Sequence, residues 1–235
     1  MEIVTMKDVV FGYGDVPSLV NASLAIRQGE FVALTGPNGA SKSTALKLML
    51  GLLKPWGGTV QLTERHPEGR ALEIGYVPQQ IAAFNSGFPS TVEEFVLSGR
   101  YHRSGWLKKL KPEDRRKVEE GLRRVGMWDF RDRRIGELSG GQKQRVCIAR
   151  TLAQEPDFFV LDEPITGMDK DSRMSFYSLM EEQVRDRGCT VLMVTHNLEE
   201  IRGRLDRIIE LTKREDGGWK CCTTTSCKGH FAPAG

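Results

Sequence analysis

The stretch GPNGASKST, residues 36–44, combines closely spaced glycines, a lysine and two hydroxyls directly behind it. It nearly spells G-x-x-x-x-G-K-[ST], a pattern whose backbone N–H groups cradle phosphates. On that pattern Gly36, Pro37, Asn38, Gly39, Ala40, Ser41, Lys42, Ser43 and Thr44 hold a nucleotide, with Lys42 on the terminal phosphates and Ser43 on Mg²⁺. The departure is Ser41, which stands where the pattern has glycine. That glycine usually takes a positive φ, and a serine there costs about 1 kcal/mol of backbone strain, which weakens the loop without abolishing it. For these residues alone, a Gly-rich turn with a chance lysine is a serious competitor.

A second element decides against that competitor. FFVLDEP is an apolar strand that ends in two carboxylates. It places Asp162 at the carboxyl edge of a sheet, where ligands bind in open α/β folds. Asp162 can hold Mg²⁺, and Glu163 can polarise an attacking water, the two jobs that phosphoryl transfer to water requires.

These residues need a framework. EIVTMKDVVFGY and SLVNASLAIRQGEFVALTG read as strands broken by Gly and Asn turns, and the loop leads into a helix, TALKLMLGLL, that PWGG at 55–58 should end. GTVQLT and LEIGYVPQ are further strands. Charges then interleave with apolar positions at helical spacing, which marks an inserted helical block at about 82–145. Continuous apolar runs at 157–164 and 189–196, with a helix between them, suit a parallel sheet covered on both faces. A chain of 235 residues can bury one large α/β core. Its net charge of +3 is too balanced to announce nucleic acid as a partner, and the basic clusters DRRK (114–117) and FRDRR (130–134) read as solvated helix faces. No apolar run reaches the length of about 20 residues that spans a bilayer, and an odd count of five cysteines does not suggest a disulfide framework, so the expectation is a soluble protein of a reducing compartment.

Residues 138–142 read LSGGQ and precede the carboxylate pair. With these residues the chain, apart from its tail, resembles the ATPase subunit of an ABC transporter. The resemblance implies a P-loop ABC-type α/β fold: a RecA-like core, an antiparallel β subdomain and an inserted helical subdomain, in one domain over 1–210. It also implies roles for single residues. Tyr13, in FGYG, is similar to the aromatic that stacks on adenine; Gln79, in YVPQQ, to the glutamine that senses Mg²⁺ and the membrane partner, with Gln80 beside it; Asp169, in ITGMD, to the aspartate that signals across a dimer; His196, in VTHN, to the switch histidine near the γ-phosphate. LSGGQ opens a helix and offers N–H groups to phosphate, yet one chain has no second nucleotide for it. In the family two copies pack head to tail, so that Ser139, Gly140, Gly141 and Gln142 of one close over the ATP of the other. The implied assembly is a homodimer with two transmembrane permease subunits on the cytoplasmic face of the membrane.

FNSGFPSTVEEFVLSGR is similar to the corresponding stretch in the ATPases of zinc and manganese uptake systems, which implies import of a divalent metal delivered by an extracytoplasmic binding protein, zinc first and manganese next. Siderophore importers share much of this texture and form the alternative. A soluble ABC ATPase acting on DNA or ribosomes would carry a coiled-coil insertion or a second ATPase domain, and neither is in this chain. The tail set off at 211–235 holds Cys221, Cys222, Cys227 and His230, a soft ligand set suited to Zn²⁺ and to feedback by the imported ion.

Overall fold

A computed structural model describes residues 1–79, 89–101, 110–213 and 219–226. The chain divides into two units, Met1–Leu72 with Met180–Gly235, and Glu73–Leu179.

In the first unit, β-branched and apolar residues give β1 (Glu2–Tyr13) and β2 (Val16–Arg27), which pair antiparallel around a turn where Gly14 takes φ 62°. β3 (Phe31–Thr35) follows, then helix α1 (Lys42–Met49) and β4 (Gly57–Leu62), which pairs antiparallel with the free edge of β1. β7 (Thr190–Val194) lies parallel to β3 on one side and β8 (Arg207–Lys213) parallel to it on the other. β9 (Trp219–Ser226) pairs antiparallel with β8 and parallel with β2, so the strand order in this unit is β4-β1-β2-β9-β8-β3-β7. Phe31–Leu34 and Val191–Val194 are fully buried, as expected of parallel strands covered on both faces. One sequence expectation needs adjustment. α1 stops at Met49 rather than at PWGG, because Gly51 takes φ 70° just past Leu50, a left-handed stop that glycine permits at low cost. The sheet continues into the stretch set off from position 211, through the end of β8 and the whole of β9.

In the second unit β5 (Ile74–Val77) runs parallel to β6 (Phe158–Asp162), in register from Ile74 opposite Phe158 to Val77 opposite Leu161. Helices α2 (Val92–Ser98), α3 (Pro112–Arg124) and α4 (Gly140–Ala153) enclose an apolar cluster that includes Val96, Val118, Leu122, Ile135, Val146 and Ala149. α3 and α4 pack backbone to backbone: a Cβ on Gly121 would lie 2.9 Å from the Ala149 carbonyl. DRRK is not uniformly solvated. Asp114 is buried, accepts from Lys111 N at 2.8 Å and from Arg100 Nε at 2.9 Å, and the equally buried Arg100 also donates to the Ala153 carbonyl at 2.7 Å. The Lys111 N–H, and then Arg100, hold the Asp114 carboxyl below its usual range. Breaking such a buried pair from one side leaves an uncompensated charge. α5 (Lys170–Arg185) begins in this unit and ends in the first. A last short helix, α6 (Leu198–Ile201), follows β7. No helix among the described residues is long and apolar enough to cross a membrane.

Candidate functional site

The buried strand β3 delivers the chain into the loop at 36–44. Gly36 (φ 147°) has no room for a Cβ, which would meet the Leu211 carbonyl at 2.9 Å. Ser41 sits in the left-handed region, at φ 60° and ψ 26°, as the glycine of the pattern would. The expected strain of about 1 kcal/mol is therefore present, and the backbone tolerates it. Ser41 is the N-cap of α1 but makes no side-chain cap, while its carbonyl accepts from Ala45 N at 2.9 Å. Lys42 is buried, and its ammonium donates to the carbonyls of Gly36 and Pro37 at 3.0 Å each. The cation is thus tied to the loop that it serves. Ser43 is half-buried in the first turn of α1. Thr44 Oγ1 lies 3.3 Å from the hydroxyl of Tyr13, whose ring is 59% exposed and so open to a planar ligand.

His196 belongs to the same unit. Leu34 pairs with Val194, so Gly36 and His196 each lie two residues beyond this paired rung, at one edge of the sheet. The His196 side chain is exposed, and Thr195 Oγ1 accepts from the Asn197 N–H at 3.1 Å, which fixes the turn that follows.

In the second unit β6 ends at Asp162, 3% exposed, and Glu163 then takes φ 48°. Backbone strain at such a carboxylate costs about 1–2 kcal/mol and is a mark of functional sites. Gln79, just past β5, donates from Nε2 to Glu163 Oε2 at 3.0 Å, so two residues 84 positions apart meet. The Glu163 carbonyl accepts from Thr166 Oγ1 at 3.1 Å. Burial, and after it the negative charge of Asp162, push the Tyr76 hydroxyl above its usual pKa.

LSGGQ opens α4 as expected, but its first turn satisfies itself. Ser139 Oγ accepts from Gln142 N at 3.3 Å and Gln142 Oε1 accepts from Ser139 N at 3.0 Å, a complete capping box. Two of the N–H groups expected to face phosphate are therefore taken by this turn. Gly141 packs against the loop before α5, where a Cβ would lie 2.8 Å from the Gly167 carbonyl. In that loop Asp169 accepts from the backbone N and the hydroxyl of Ser172, at 2.9 and 2.7 Å. The Ser172 N–H, then its hydroxyl, lower the Asp169 pKa, and Arg145 adds a weaker pull. Sequence reasoning missed Thr166, Gly167 and Arg145; only the small residues around Asp169 hinted at a close approach. Gln80 lies outside the described residues, as do Cys227 and His230. Cys221 and Cys222 occupy β9, opposite Leu211 and Glu210, and no group of three His, Cys, Asp or Glu placed to hold a metal occurs among the described residues.

Comparison with known proteins gives these arrangements a context. Residues 19–166 match the family described as ABC transporter. The chain is 56% identical, over 231 residues covering 98% of it and 100% of the relative, to the high-affinity zinc uptake system ATP-binding protein ZnuC of Bacillus subtilis. It is 48% identical, over 94% of both chains, to the zinc transport system ATP-binding protein AdcC of Streptococcus pneumoniae. Among solved structures it resembles a dimeric ATP-binding cassette in a post-hydrolysis state bound to ADP and phosphate, with a TM-score of 0.78 and 30% identity over 97% of this chain and 100% of that one.

Proposed function

This chain belongs to the ABC transporter family, and from that premise we propose that it is the ATP-hydrolysing subunit that powers import of a divalent metal ion, zinc first, through a membrane permease. The observation that carries the reading is the similarity along almost the whole chain to subunits named for zinc uptake. Within it the residues divide the labour. The N–H groups of the loop and Lys42 hold the triphosphate, and the exposed ring of Tyr13 takes the base. Ser43 and Asp162 offer a hydroxyl and a carboxylate, hard oxygen donors that suit Mg²⁺, with Gln79 completing the set. Bound Mg²⁺ would supply neutralisation of charge on the phosphate oxygens. Glu163, steadied by Gln79, accepts the proton of the attacking water, and His196 stands at the edge of β7 to stabilise the γ-phosphate.

Two copies would share two sites, with Ser139, Gly140, Gly141 and Gln142 of one chain closing on the nucleotide of the other and Asp169 joining them. The Ser139–Gln142 box would open as that happens. The dimer would bind two permease subunits at the cytoplasmic face of the membrane, and an extracytoplasmic protein would hand over the ion. The test is elemental analysis of zinc-limited and manganese-limited cells whose sole copy is wild type or Glu163→Gln. Loss of zinc alone in the variant is expected. Loss of manganese alone moves the cargo, and no change in either metal removes the metal reading in favour of a siderophore or another solute. For the tail we propose feedback by zinc, read as inhibition of ATPase activity in wild type that Cys227→Ser with His230→Ala relieves; an unchanged zinc response ends the idea.

A further inference from the structure

Tyr13 is not an isolated ring, and we infer that Trp56 positions it through Phe11 and so sets how tightly this chain grips the base of a nucleotide; this rests on the nucleotide reading above. Trp56 enters β4 with its N–H bonded to the Val10 carbonyl at 2.8 Å. Its indole reaches across β1, and a Cβ built on Gly12 would lie 2.6 Å from Cη2 of Trp56, so the ring lies directly on the bare backbone of Gly12. The Phe11 ring is 6.1 Å from the indole, tilted by 40°, and 5.2 Å from the Tyr13 ring at 89°, an edge-to-face pair. The register of β1 and β2 shifts between Phe11 and Gly12, where an irregularity of this kind re-aims the side chains beyond it. Phe11 is buried while Trp56 and Tyr13, the outer members, are 50% and 59% exposed. The phenol is thus held at its edge by Phe11 and at its hydroxyl by Thr44 of α1, the helix that the phosphate loop opens. A ring fixed at two points has less orientation to lose when a base stacks on it.

A purely structural indole would protect the fold and change all ligands alike. A positioning indole changes only those that carry a base. The test measures, on the full chain with Mg²⁺, binding of ATP and of inorganic tripolyphosphate to wild type, Trp56→Ala and Trp56→Phe. Trp56→Ala should weaken ATP about fivefold, the scale of one lost aromatic contact, and leave tripolyphosphate unchanged. Trp56→Phe should recover most of the loss. Equal weakening of both ligands, unchanged ATP affinity, or no rescue by phenylalanine overturns the inference. Wild type that binds neither ligand overturns the nucleotide reading itself, and the inference with it. Phe11→Leu keeps apolar volume under β1 but removes the ring edge, and it carries the same expectation should Trp56→Ala fail to fold.

Discussion

Two helices of this chain begin at a serine within two residues of a glycine, and their first turns are built in opposite ways. Ser41 starts α1 from the left-handed region, caps nothing with its side chain, and leaves the neighbouring Lys42 to brace the loop through two carbonyls. Ser139 starts α4 from extended backbone, at φ −65° and ψ 162°, and closes a reciprocal box with Gln142. The lesson is that residue type alone does not make an anion site. A helix start left without a side-chain cap can offer its N–H groups to a ligand directly, whereas one that caps itself must first give up its own bonds.

The largest expected effect separates the two. Lys42→Ala removes charged hydrogen bonds worth about 1.5–3 kcal/mol, so ATP affinity measured by calorimetry should fall roughly 10- to 100-fold. Ser139→Ala should leave ATP binding by dilute protein intact, because on the proposed function its loop closes on the nucleotide of a second copy. It should nonetheless cost about 1 kcal/mol of stability through the lost cap, seen as a lower melting temperature, and it should reduce ATPase turnover. If Ser139→Ala weakened ATP binding as much as Lys42→Ala, the contrast between the two termini would collapse.

Ser41→Gly sharpens the comparison from the other side. It removes about 1 kcal/mol of left-handed strain but gives back about 0.5–1 kcal/mol in unfolded-state entropy. The net change in denaturant midpoint should be small, with ATP affinity kept or raised. A large loss of affinity would mean that the serine hydroxyl itself touches the nucleotide. The smallest effect concerns Asp169, whose carboxyl the Ser172 donors hold below the usual aspartate range. A depressed carboxylate stabilises the fold above the unfolded pKa, and this contribution is lost as pH falls through the lower folded value. The stability advantage of wild type over Asp169→Asn should therefore be constant near neutrality and shrink only below about pH 4, the unperturbed range of aspartate. An advantage that changed between pH 5 and 8 would point to another titrating group.

Much of this was legible in local patterns. The apolar run before GPNGASKST, the run ending in Asp162, and LSGGQ ahead of a helical stretch each carry their signal within a few residues, and β3, β6 and α4 lie where those signals place them. The positive φ at Ser41 followed from the place of glycine in the loop pattern. What escaped was non-local. Asp114 lies in a run that reads as solvated charge, yet Arg100 from outside α3 draws it into a buried pair. β9 has the composition of a loose tail, yet β8 and β2 supply it with partners.

By itself, then, the sequence determined the strand, glycine-bearing loop and helix at 31–49 and the apolar strand that ends in carboxylates, because backbone preference and apolar periodicity act over one or two turns of chain. Only the tertiary structure decided that Gln79 would bond Glu163, that Gly141 would meet Gly167, and that Trp56 would lie on Gly12 beside Phe11 and Tyr13. Those meetings depend on closing long stretches of chain, whose entropy is repaid by burial summed over a whole core rather than by any property of the residues that meet.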